Sequence, residues 1–121
     1  MKLTRVRPNC RVMVLLVIIA VAGCSDDPTI TITNRSGQPL DNVVVSGSGF
    51  FASIGAMSPG AQREVAVDPR GESGVRLTFD VGEQHVDSGD QGYFEGSGGY
   101  YLAATVQPDL TVSVLSELRG Y

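Results

Sequence analysis

A period of two dominates the sequence after residue 28, and it limits the chain to β-structure. In the clearest stretch, residues 75–81, Val, Leu, Phe and Val alternate with Arg, Thr and Asp, which places the apolar side chains on one face of a strand. Clusters of Gly, Pro, Asn, Asp and Ser, such as residues 34–39 and 68–71, separate such stretches. We see no convincing 3.6-residue period after Cys24, so we expect an all-β domain.

Turn signals divide the chain into eight short apolar stretches, at residues 29–33, 43–45, 50–54, 64–67, 75–81, 83–87, 100–106 and 110–115. Seven or eight strands at this spacing, each with one apolar face, favour a small antiparallel β-sandwich, immunoglobulin-like or transthyretin-like. A small barrel is the alternative. The Cys…Trp…Cys pattern of true immunoglobulin domains is absent, because the chain has no Trp.

The first 23 residues have the layout of a secretory signal peptide. They contain four basic residues and no acid, and residues 12–22 form an apolar run about half as long as the roughly 20 residues that span a bilayer. The run ends at Val21-Ala22-Gly23-Cys24, which resembles the signal of bacterial lipoproteins, although that family usually has Leu in place of Val21. The resemblance implies cleavage between Gly23 and Cys24, with a diacylglycerol and an N-acyl chain on Cys24.

This resemblance divides the chain into a signal peptide (1–23), a lipidated cysteine with a short tether (24–28) and a β-sandwich domain (29–121). It also implies a location in the cell envelope, facing the periplasm, and Ser25 favours the outer over the inner membrane. The four tether residues reach at most about 13 Å at 3.3 Å per residue. Because Cys10 leaves with the signal and Cys24 carries lipid, the domain has no thiol for a disulfide or a metal.

The charge balance excludes several kinds of partner. The chain has a net charge of −4, and since the signal carries four positive charges, the remainder carries −8. After residue 23 the chain has five arginines and no lysine, which supply no basic surface for nucleic acid or anionic lipid. The glycines resemble no phosphate-binding loop, because that loop needs a lysine. We therefore expect neither nucleic-acid nor nucleotide binding, and an acidic domain suits a basic protein partner.

Candidate catalytic and metal sites are weak. His85 is the single histidine, and a Ser-His-Asp site with Ser88 or Ser97 lacks both the G-x-S-x-G turn and an oxyanion helix. We therefore expect no enzyme. Oxygen-rich residues 87–95 suggest weak calcium binding through Asp87, Asp90 and Glu95, but their spacing does not match a calcium-loop motif. A solvated acidic face is the simpler interpretation.

The candidate contact residues for a partner are Tyr93, Tyr101, Phe51 and Arg76. Tyr93 and Tyr101 lie in residues 92–101, where four aromatic residues are interleaved with four glycines. The same pattern also fits a hairpin loop whose aromatic side chains fill the core. Phe51 follows Phe50, so one ring of the pair points to each face of a strand. Arg76 is expected to face outward, as is Arg63 on a neighbouring strand, and the two could pair with Glu64, Asp80 or a partner's carboxylate.

The sequence thus favours a membrane-anchored lipoprotein whose sandwich binds another periplasmic protein, as an immunity protein, an inhibitor or an accessory subunit of an envelope complex. A calcium- or small-ligand-binding sensor is the alternative, and a structural envelope lipoprotein is the third possibility. No cofactor beyond the covalent lipid is expected.

Overall fold

The computed structural model describes residues 27–118, so the predicted signal, Cys24 and the last three residues lie outside the described part. Nine strands form this part: β1 (Thr29–Asn34), β2 (Leu40–Gly47), β3 (Phe50–Met57), β4 (Gln62–Ala66), β5 (Ser73–Val81), β6 (Gln84–Asp87), β7 (Gln91–Phe94), β8 (Tyr100–Val106) and β9 (Val112–Leu118). The described residues contain no helix, and hence none that could cross a membrane. The all-β prediction is confirmed.

The strands form two sheets with a shared core. One sheet has the order β4-β1-β8-β9, and the other has the order β3-β2-β5-β6, with β7 also paired to β5. The inward side chains of both sheets are almost fully buried, among them Ile30, Ile32, Val45, Leu77, Phe79 and Leu102. Burial of these alternating apolar residues drives the sheets together, so the predicted β-sandwich is confirmed.

Two details differ from the sequence-based prediction. The structure has nine strands rather than seven or eight, because the segment after β6 adds a further short strand, β7. One pair is also parallel: β1 runs beside β8 from Thr29 opposite Tyr101 to Asn34 opposite Val106. Parallel partners cannot be joined by a tight hairpin, so no local turn signal in the sequence announces such a pair.

Strands β6 and β7 act as one interrupted strand along the edge of β5. Residues 84–87 pair with the second half of β5, and residues 91–94 pair with its first half. Between them Ser88 replaces the regular ladder, because its N–H donates to the Leu77 carbonyl at 2.9 Å and its Oγ accepts the Leu77 N–H at 2.9 Å. A bend of this kind protects a sheet edge from pairing with another chain.

The two ends of the sandwich differ. The tether end, as we call it, holds the start of β1 and the loops 48–49, 67–72 and 95–99, which pack together: the Arg70 N–H donates to the Ser48 carbonyl at 2.7 Å. Pro28 is buried there, and its carbonyl accepts the Val67 N–H at 3.0 Å. Pro28, the last residue of the predicted tether, is therefore fixed to the sandwich.

The opposite end is organised by Asn34, whose side chain is fully buried. Its Nδ2 donates to the carbonyls of Gln38, Met57 and Ser58 at 2.8, 3.2 and 3.1 Å. Its Oδ1 accepts from the N–H and the hydroxyl of Ser36 at 3.0 and 2.7 Å. One amide therefore ties the loop after β1 to the loop after β3.

Candidate functional site

A groove of about 580 Å³ runs beside β3 near the tether end. It is lined on one side by Gly49–Ala52 and on the other by Ala66–Arg70. Strand β3 is the last strand of its sheet, and among residues 27–118 no strand pairs with its outer edge. The groove therefore lies along an open sheet edge.

The backbone of this edge points into the groove, as the hydrogen bonds of β5 show. Leu77 directs both its N–H and its carbonyl toward Ser88, away from β2. Since backbone groups alternate sides along a strand, the opposed residue Val45 directs its groups toward β3 and pairs with Ala52. The backbone groups of Phe51, which lines the groove, and of Ser53 therefore point away from β2.

Arg63 closes the other half of the same edge. This residue lies on β4, and its guanidinium donates long hydrogen bonds to the carbonyls of Ile54 and Ala56, at 3.4 and 3.5 Å. Arg63, predicted to pair with Glu64, Asp80 or a partner's carboxylate, instead contacts β3, because β4 and β5 lie in different sheets and nothing in the spacing shows that β3 and β4 are neighbours. The capped half ends at Ile54, so the open half of the edge is Phe51–Ser53.

Phe50 and Phe51 point to opposite faces, as strand geometry requires. Phe50 packs against the core with its ring edge-on to Phe94, at a centroid distance of 5.9 Å. Phe51 is 72% exposed, the largest value for any bulky apolar side chain in the described residues. The predicted contact residue Phe51 therefore stands beside the open edge.

Edge-on aromatic contacts continue from Phe94 across the tether end to Tyr93. Phe94 contacts Tyr100 at 6.4 Å, and Tyr100 contacts Tyr93 at 6.3 Å, both edge-on. The Tyr93 hydroxyl donates to Glu95 at 2.5 Å. This hydrogen bond raises the pKa of Tyr93 to about 12, and partial desolvation and the charge of Glu72 act in the same direction.

Tyr101 does not join Tyr93. Adjacent residues of a strand face opposite sides, so Tyr100 meets Tyr93 while Tyr101 lies on the outer face of its sheet. There its hydroxyl hydrogen-bonds the Thr31 hydroxyl at 3.1 Å and helps to bury Thr31. The two tyrosines predicted as one interface belong to separate surfaces.

Arg76 is engaged by Asp87. Its Nε and Nη2 donate to the two carboxylate oxygens at 3.0 and 2.8 Å. The predicted partners Glu64 and Asp80 are wrong: Glu64 lies in the other sheet, opposite Thr31, and Asp80 bonds Asn42 and His85. The hydrogen bonds from Arg76 and from the Gly89 N–H lower the pKa of Asp87 to about 2.

The predicted calcium ligands are not brought together. Asp87 pairs with Arg76, Glu95 accepts from Tyr93, and Asp90 is exposed in the bend before β7. Across residues 27–118 no group of three or more His, Cys, Asp or Glu side chains is placed to hold a metal ion.

His85 lies on β6 opposite Asp80, on the exposed face of the second sheet. Its Nδ1 is 2.7 Å from the Asp80 carboxylate, whose other oxygen accepts from Asn42 at 2.9 Å. Both hydrogen bonds lower the pKa of Asp80, and the one from His85 has the larger effect. The Ser88 hydroxyl bonds the backbone of Leu77 and Gly89. It therefore belongs to the strand bend.

Residues 27–118 thus form a small two-sheet β-sandwich with a groove beside the open edge of β3. No protein-family model and no curated protein matches the sequence. Among solved structures the chain is similar to the NMR structure of the protein from Eubacterium rectale, with a TM-score of 0.52 and 15% identity, over 79% of this chain and 93% of that one. A likeness at this identity shows a shared fold alone.

Proposed function

We propose that this protein is a lipid-anchored, non-enzymatic protein of the bacterial cell envelope whose sandwich binds an extended segment of another protein. The envelope location rests on the resemblance of Val21-Ala22-Gly23-Cys24 to a lipoprotein signal. The binding mode rests on one observation, the open backbone edge Phe51–Ser53 beside a groove of about 580 Å³. Strand addition to such an edge is a recurring mode of peptide recognition.

The protection of the neighbouring edge segments of this sheet supports this assignment. Native sheets protect exposed edges because unpaired N–H and carbonyl groups attract other chains. In this sandwich Ser88 bends the edge strand along β5, and Arg63 caps the carbonyls of Ile54 and Ala56. The stretch left open stands beside Phe51, an aromatic side chain of the kind that anchors interfaces.

Charge indicates the nature of the partner. Residues 27–118 contain twelve Asp or Glu and four Arg, a net charge of −8. A field of this sign speeds the approach of a basic partner and slows an acidic one. The bound segment would hydrogen-bond Phe51 and Ser53 through its backbone and pack one side chain against the Phe51 ring.

Photo-crosslinking in living cells tests the location of the site. The photoreactive analogue p-benzoylphenylalanine replaces Phe51 in one variant and Leu115 in a matched control, since Leu115 is 68% exposed on the other sheet. We expect a discrete protein adduct from position 51 and none from position 115. Equal adducts from both positions, or an adduct from position 115 alone, would contradict the proposed site.

A further inference from the structure

We infer that the tether end of the sandwich rests on the bilayer surface, with Tyr93 and Leu118 in its headgroup region. This inference rests on the lipid anchor of the proposed function, and its two contact residues, Tyr93 and Leu118, do not line the groove. Pro28 lies four residues after Cys24 and is held to the sandwich by Val67. Four extended residues span at most about 13 Å, so the tether end must face the membrane closely.

The exposed apolar side chains of the described residues are distributed unevenly between the two ends. Four large ones are exposed: Phe51, Tyr93, Leu115 and Leu118, at 72, 44, 68 and 53%. Tyr93 lies one residue before the end of β7, Leu118 is the last residue of β9, and Phe51 is the second residue of β3, all at the tether end. The loops of the opposite end, 35–39, 58–61, 82–83 and 107–111, carry none.

Tyr93 and Leu118 stand on the same side of the tether end. Tyr93 packs edge-on against Tyr100, and Leu118 pairs with Tyr100 across the β8–β9 ladder and approaches Gly98. The loop 95–99, which follows β7, contains Gly96, Gly98 and Gly99. Tyrosine, with an apolar ring and a polar tip, is enriched at the interface between lipid and water.

The charges at this end determine which lipids it meets. Asp27, Asp68, Glu72 and Glu95 lie at the tether end with one described cation, Arg70. Anionic headgroups repel such a surface, and the repulsion is screened by salt. The surface that the tether end contacts is therefore a leaflet of zwitterionic phospholipid, and anionic lipid weakens this contact.

Single tryptophans test the orientation, because the chain contains no native Trp. The lipidated protein is purified from membranes and inserted into phosphatidylethanolamine and phosphatidylcholine vesicles that carry a nitroxide on the headgroup. Tyr93→Trp and Leu118→Trp report the tether end, and Pro108→Trp reports the opposite end as the control. Leu118→Trp keeps the result interpretable if Tyr93→Trp fails to fold.

We expect the fluorescence of Tyr93→Trp and Leu118→Trp to be quenched several-fold more than that of Pro108→Trp. Adding phosphatidylglycerol should reduce the difference at low salt, and added salt should restore it. Equal quenching at both ends, or quenching that increases with phosphatidylglycerol, would overturn the inference. The mass of the purified protein reports separately whether Cys24 carries lipid; if it does not, the same vesicles are loaded through a maleimide lipid on the Cys24 thiol. Failure of the anchor and failure of the orientation are thus distinguishable.

Discussion

Replacing Asn34 with alanine removes the amide that joins two loops at the end opposite the tether. Asn34 is fully buried, and its side chain makes five hydrogen-bond contacts with Ser36, Gln38, Met57 and Ser58. Its two N–H protons and two accepted bonds amount to about four net hydrogen bonds, each contributing about 1 kcal/mol. We therefore expect Asn34→Ala to lower the free energy of unfolding by about 4 kcal/mol, since the freed groups are poorly placed to meet water.

Urea denaturation followed by far-ultraviolet circular dichroism measures this loss. For a domain of this size, about 4 kcal/mol corresponds to a fall in Tm of roughly 16–30 °C. Gln62→Ala is the matched control, because the Gln62 amide is exposed and makes one hydrogen bond, to the Thr33 hydroxyl at 3.0 Å. We expect the control to lose less than about 1 kcal/mol. Equal losses for the two variants would refute the role assigned to Asn34.

Two further predictions concern acid stability and strand β7. Because its hydrogen bond to Arg76 lowers the pKa of Asp87 to about 2, Asp87 stabilises the fold above its unfolded pKa of about 4, and this contribution is lost as the pH falls toward 2. Asp87→Asn should flatten the acid limb of the stability curve measured by urea denaturation, and an unchanged limb would contradict the pairing. Gly92→Ala should destabilise more than Gly37→Ala, since both have positive φ but only at Gly92 would a Cβ meet Val114, at 2.9 Å. Equal changes in Tm would refute the close approach of β7 to β9.

Much of the fold follows from the sequence. Alternation identified the buried face of β5, and the turn residues at 35–39 and 68–71 fall between strands as expected, with Asn34 closing β1. Strand β7 was not predicted because it is very short and because its first residues belong to the turn-forming segment Ser88–Gly92. The parallel β1–β8 pair was missed because its partners are about 70 residues apart and no local pattern encodes their register.

The candidate site was predictable only in part. Strand geometry indicated that one ring of the Phe50-Phe51 pair would be exposed, and the structure shows that this ring is Phe51. The groove, the open edge and the cap from Arg63 depend on which strands become neighbours in space. The same dependence explains why Glu64 was a wrong partner for Arg76, because β4 and β5 lie in different sheets.

Proline at position 53 tests the proposed strand addition most directly. The N–H of Ser53 points away from β2 on the open edge of β3, so Ser53→Pro should preserve the β2–β3 pairing while removing one donor that an added strand needs. Ser53→Ala keeps that N–H and serves as the control. With the photoreactive analogue at position 51, we expect Ser53→Pro to abolish the adduct and Ser53→Ala to leave it unchanged. An adduct that survives in a folded Ser53→Pro protein would contradict binding through the β3 edge.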